Sequence, residues 1–457
     1  MKSFFLYILI PLFLISCAAP NVPINYSVSF YDSELNINKS IELQANEEIN
    51  VASLAKRFNI IAPLYTANSS ADIMTDTAYE TYKLIDDINF YAIPNVKEIR
   101  NQIELNTVRY DLTGKYILIN DIALNKNEAG FDVFGWKPIG SNSSKNFNLH
   151  FSGVFNGNHH KIDGLWIDRQ NSDYVGLFSI ISDAQIKNLG VKTTDKDIKG
   201  RDYVGIIVGL IHSGSIENSY SIGNINAHRN VGGISGFIRE GFVKNSYFNG
   251  NLNGTRHVGG LNGWVDVDSL ITNSYSNGNV SGELYIGGIA GYVLGGFVTN
   301  SYSAANINGS EYIGGIVGTA DNGLVKNSYV KGNIIGAGKY IGGIAGYAND
   351  SIIQSNAAIN PSIAGNSEVN RIVGIIDNSA VLNNFVRKEL SLGFSDLSNG
   401  NGYSGVEKSD NDFLLKNTYE NRSGLGWVFG SDNDNPWVWN AFEDYPYPTL
   451  YWQTQKP

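Results

Sequence analysis

Few residues in this 457-residue sequence are placed to do chemistry. The one cysteine, Cys17, ends the string Leu14-Ile15-Ser16-Cys17, after an apolar run from Phe4 to Phe13. A thiol there can take a lipid as a thioether. A lone thiol excludes disulfide staples, thiolate metal clusters and iron–sulfur sites. The six histidines hold no His-Glu-x-x-His string, and His159-His160 reads as a corner pair. Asp432-Asn433-Asp434 lacks the ligand spacing of a calcium loop. Gly400-Asn-Gly402-Tyr-Ser-Gly405 has dinucleotide spacing but follows a polar loop, with no βαβ pattern around it. No metal and no cofactor is expected. Asp266 and Asp268, alternating with Val265 and Val267, are the carboxylates best placed to act together. Polysaccharide cleavage needs further acids or bases converging on one face, and nothing basic or carboxylic aligns at that position on both neighbouring repeats. A polysaccharide lyase or hydrolase is therefore the alternative reading, and no catalytic residue is assigned.

The formal charge is −10, from 33 basic and 43 acidic residues, which argues against a nucleic-acid partner. Charged residues are 17% of the chain, below the roughly 25% of ordinary globular proteins. Hydrophobics at 42% with 12% aromatics are too many for a disordered chain. Lys2 and the apolar run after it form an export signal, because a spanning helix needs about 20 apolar residues. The string ending at Cys17 resembles the bacterial lipobox. That resemblance implies removal of residues 1–16, acylation of Cys17 and a membrane partner reached through the N-terminal lipid. Ala18, rather than Asp, follows the cysteine. By similarity to Gram-negative lipoproteins this implies the outer membrane, with the cell surface as one orientation.

The middle of the chain repeats. Val231-Gly-Gly-Ile-Ser-Gly-Phe returns at Val258, Ile286, Ile313 and Ile341, at intervals of 27, 28, 27 and 28 residues. A second phrase, Asn-Ser-Tyr, keeps step at Asn218, Asn245, Asn273, Asn300 and Asn327. Ser355-Asn356-Ala357 and Asn383-Asn384-Phe385 hold its slot with the pattern partly lost. Phrases such as Phe297-Val-Thr-Asn-Ser-Tyr-Ser are β-branched and aromatic, bounded by turn formers, which marks strands. Propeller blades take about 40–50 residues. The chain is therefore expected to be all-β: a parallel, right-handed β-helix over residues 110–386. One repeat makes one coil of three short strands, about ten coils in all, stacked at about 4.8 Å. Ile286, Ile289 and Val298 should point inward, and the asparagines should stack as an amide ladder.

These phrases resemble the GLUG-motif repeats of bacterial surface proteins, over about residues 110–386. Such repeats occur in adhesins, haemagglutinin-like exoproteins and the non-catalytic parts of immunoglobulin A proteases. The resemblance implies a surface role without catalytic residues in the repeat. The residue before each Val/Ile-Gly reads Tyr174, Tyr203, Asn230, His257, Tyr285, Tyr312 and Tyr340. Strand alternation would turn it outward, so Tyr174, Tyr203, Tyr285, Tyr312 and Tyr340 form a candidate stripe for a glycan or protein ligand. Residues 17–25 read as a tether and 26–109 as a small mixed α/β region, with helical spacing from Val96 to Leu105 as a cap. Residues 387–457 carry Trp427, Trp437, Trp439, Tyr445, Tyr447, Tyr451 and Trp452 and read as an aromatic plug.

Overall fold

The computed structural model describes the strands between residues 25 and 92 with positions 51 and 54. It then describes 96–457, except 141–148, 394–403, 421–422, 431, 433–434, 440–446 and 455–457. Cys17 and its export signal lie outside the described residues. The chain divides into two compact units, Met1–Pro94 and Asn95–Pro457. In the first, Asn25–Asp32 pairs antiparallel with Ile37–Gln44 and parallel with Ile88–Ala92, which pairs antiparallel with Leu64–Thr66. Positions 51 and 54 are helical.

The second unit is a parallel β-solenoid of about nine turns. Every coil lays its strands directly on those of the coil before. The coil beginning at Leu284 runs through a first sheet (Leu284–Gly287) and a second (Ala290–Leu294). It continues through a third (Phe297–Thr299) and a fourth (Tyr302–Ser303 and Asn306–Gly309). Among the described residues these sheets hold 7, 8, 11 and 16 strands, so a coil has four sides rather than the three strands expected. The extra corner is the Gly-Gly pair. A Cβ on Gly288 would lie 2.2 Å from the carbonyl oxygen of Gly315 and 2.3 Å from Ser303 Oγ, so only glycine fits there. Aliphatics stack inside in one continuous core, with Ile286, Ile289 and Val298 fully buried.

Each residue of Asn-Ser-Tyr has its own task at the next corner. The asparagines take the left-handed conformation, with φ from 47° to 53° at Asn218, Asn245, Asn273, Asn300 and Asn327. Asn tolerates that region because its amide bonds locally. Asn218 Nδ2 donates to Asn188 Oδ1 at 3.2 Å, Asn245 to Asn218 at 3.0 Å and Asn327 to Asn300 at 3.3 Å. The tyrosines stack almost flat from Tyr220 to Tyr329, with centroids 4.8–5.0 Å apart. The serines point inward and bridge coils. Ser274 Oγ accepts the Ser246 N–H at 3.1 Å and donates to the Thr272 carbonyl at 2.7 Å. Asn356 and Asn384 take over this task, each accepting a backbone N–H with its amide oxygen. Ser274→Ala leaves the buried Ser246 N–H unpaired, while the Thr272 carbonyl keeps the Asn245 N–H, and should cost about 1–3 kcal/mol in urea unfolding. Ser274→Asn should cost less.

Both ends differ from the sequence reading. Val96–Ile99 is a strand, paired in parallel with Lys115–Leu118, and the helix is Gln102–Thr107. An open strand edge outweighs helical spacing, and within the helix Ile103 is 61% exposed while Leu105 is buried. The aromatic tail packs along the side of the solenoid instead of plugging its end. Trp427 and Trp437 are buried against the tyrosine column. Trp452 lies over Tyr247 and Tyr275, its indole N–H donating to the Asn273 carbonyl at 2.7 Å. Tyr329 donates to the Pro448 carbonyl at 3.0 Å.

Candidate functional site

Tyr174, Tyr203, Tyr285, Tyr312 and Tyr340 do form a column, but alternation is not what turns them. All have left-handed backbones, φ 57° to 65°, as do Asn230 and His257 in the same column. A bulky residue there is strained by roughly 1–2 kcal/mol. The third glycine of each repeat locks the kink. A Cβ on Gly318 would sit 2.5 Å from the Ile286 nitrogen and 2.6 Å from the Tyr285 carbonyl carbon. The second sheet of one coil is therefore pressed onto the kink of the coil before. Rings emerging from the kinks stack: Tyr174 on Tyr203 at 4.8 Å, His257 on Tyr285 at 5.1 Å and Tyr285 on Tyr312 at 4.8 Å. Tyr312 meets Tyr340 at 4.9 Å with the rings tilted.

A second aromatic column, absent from the sequence reading, lies beside the first. Phe237, Trp264, Tyr292, Thr319 and Tyr347 are register partners on the second sheet. Their rings interlock with the first column: Trp264 lies 4.8 Å from His257, Tyr292 5.6 Å from Tyr285 and Tyr347 6.0 Å from Tyr312. The sequence signal for it is the closing Phe, Trp or Tyr of the glycine phrase. Tyr203, Phe237, Trp264, Tyr285, Tyr292, Tyr312, Tyr340 and Tyr347 are all half-buried, so each offers part of a ring to solvent.

Two titratable side chains of this face stay uncharged near neutral pH, His257 and Tyr292. Burial, with the charges of Arg256 and Arg229, pushes His257 down to about 3, and its Nδ1 lies 2.8 Å from Asn230 Oδ1. Burial first, then a 2.8 Å hydrogen bond donated to Asp321, pushes the Tyr292 hydroxyl up. Asp266 is half-buried and Asp268 exposed at a left-handed turn. Among the described residues no group of three or more His, Cys, Asp or Glu is placed to hold a metal. The Asn ladder and the Tyr220–Tyr329 column belong to other corners of the coil.

The GLUG motif matches residues 309–335, one full coil. A protein of Evansella cellulosilytica described as a candidate Gly-rich membrane protein is 35% identical over 92 residues, 20% of this chain and 10% of that relative. The chain thus spans about a tenth of that relative's length. A crystal structure described as a candidate immunoglobulin A1 protease from Bacteroides ovatus is 18% identical, covering 79% of this chain and 92% of its own, with a TM-score of 0.37. A structure described as an IgA1 protease is 15% identical, covering 72% of this chain and 24% of its own, with a TM-score of 0.35. At those scores neither carries an argument about chemistry. The coil at 309–335, with its glycine corner at Gly314 and Gly315, left-handed Asn327, bridging Ser328 and stacked Tyr329, is the stretch that matches the GLUG motif.

Proposed function

We propose that the protein is a lipid-anchored envelope protein of the bacterial outer membrane, whose solenoid serves as a non-enzymatic binding module. The observation that supports this is the pair of interlocked, half-exposed aromatic columns along one side of the rod. Rigid rings with polar tips bind saccharides and proteins at low entropic cost. The ligand is a glycan or a protein met at the surface. Cys17→Ala should release the chain from membranes, and a variant that still sediments with them after a salt wash would sink the anchor. No described helix is long and apolar enough to cross a membrane.

The face is tested with Tyr285→Asn, Tyr312→Asn and Tyr340→Asn together. Asn230 already occupies this column with the same backbone, so the fold should tolerate the change. Lost stacking, about 0.5–1.5 kcal/mol per ring, is partly offset by relieved strain. Attachment to host cells or glycan-coated surfaces should fall at least tenfold while the melting temperature moves little. Unchanged attachment would remove the face as a site.

A further inference from the structure

The aromatic face carries an unbalanced pair of charges. Arg229 and Arg256 are register partners on adjacent coils, about 4.8 Å apart along the backbone. Like charges placed directly opposite repel. Yet among the described residues neither lies within 4.0 Å of a carboxylate. Arg100, Arg169, Arg201, Arg371 and Arg387 each sit on one. The nearest acid in the column, Asp202, is paired with Arg229 in register but is engaged by His228 Nδ1 at 3.0 Å. Arg239, also without a carboxylate, stands at the far end of the second sheet and stacks on no second arginine. In a chain of net charge −10 acids are in excess, yet among the described residues this stacked pair of arginines has no carboxylate on it.

Their surroundings say what would neutralise them. The Arg256 guanidinium lies over the Tyr285 ring at 5.1 Å, and its Nε is buried without a hydrogen-bond partner. The ring holds the group in place, and no described carboxylate takes its N–H groups. Arg229 is exposed, and its charge acts on both Tyr203 and His257. Guanidinium forks bind carboxylates in a bidentate manner, and half-exposed rings take the C–H face of a sugar. We infer that Arg229 and Arg256, with Tyr203 and Tyr285, form a subsite for a saccharide bearing a carboxylate. This inference rests on the aromatic face being a binding surface.

The test titrates the full mature chain with trigalacturonate and its methyl ester, and with sialyllactose and lactose. One acidic sugar should bind at least tenfold tighter than its neutral counterpart, and whichever does identifies uronate or sialate as the source. Arg229→Gln with Arg256→Gln should abolish that difference and leave the melting temperature unchanged or raised, because repulsion is relieved. A clear drop in melting temperature would make the arginines structural and overturn the inference. Equal binding of acid and neutral partners, or no binding of either, overturns it too. Neutral-sugar binding that is lost in the three-tyrosine variant would keep the aromatic face while the acidic subsite falls. Binding that survives that variant removes both.

Discussion

Deleting Ile286–Tyr312 leaves a chain that still folds cooperatively, whereas deleting Ile286–Val298 alone yields one that does not fold. The first cut removes one whole period. Ile286 sits between Val258 and Ile313 in register, so joining Tyr285 to Ile313 lays Ile313 on Val258 with every inward aliphatic still inward. The lateral tail can follow by one rung. Trp452, now on Tyr247 and Tyr275, would meet the equivalent pair Tyr220 and Tyr247. Solenoid stability is close to a sum over coils and their interfaces, so the melting temperature should fall by no more than about 10 °C. The half-coil cut removes first-, second- and third-sheet segments from one turn. It interrupts three sheets and leaves the Gly318 strand without the kink it packs on. Circular dichroism and thermal melts distinguish the two outcomes, and equal loss of folding in both would contradict the independence of coils.

His257 should give the protein an acid limb that its replacement removes. Its ring is 8% exposed, packed between Trp264, Tyr285 and Tyr292, with Arg256 and Arg229 nearby. Folded, it titrates at about 3; unfolded, it titrates near 6.5. Between those values the unfolded chain binds a proton that the folded chain refuses. Its contribution is therefore complete above about pH 6.5 and lost as pH falls toward 3, at most about 1.4 kcal/mol per pH unit. His257→Asn keeps the left-handed backbone and offers Asn230 an amide instead. Urea unfolding at pH 7 and pH 4 should show the variant losing roughly 2–3 kcal/mol less than the parent across that interval. His212, lowered by burial in the same direction, remains in both proteins and cancels in the comparison. Parallel acid limbs would mean that His257 accepts its proton without cost.

The one-dimensional features of this protein are all legible in the order of its residues. A strict period of 27–28 residues, carried by two phrases in step, requires a stacked repeat. Each coil can bury its aliphatics only against the next, so Ile286, Ile289 and Val298 have to face inward. The asparagine ladder is legible for the same reason: identical residues one period apart must meet at the coil spacing. What the sequence does not express is the offset between one side of a coil and another side of the next. That offset follows from Gly318 pressing on the backbone at Tyr285, a contact between residues far apart along the chain. It fixes the left-handed kinks and aims the tyrosines outward. It also brings Tyr347 against Tyr312, and so sets two aromatic columns side by side. The inward turn of Ser274 and the sideways path of Trp452 have the same origin. Both answer backbone groups and ring faces that exist only once the coils are stacked.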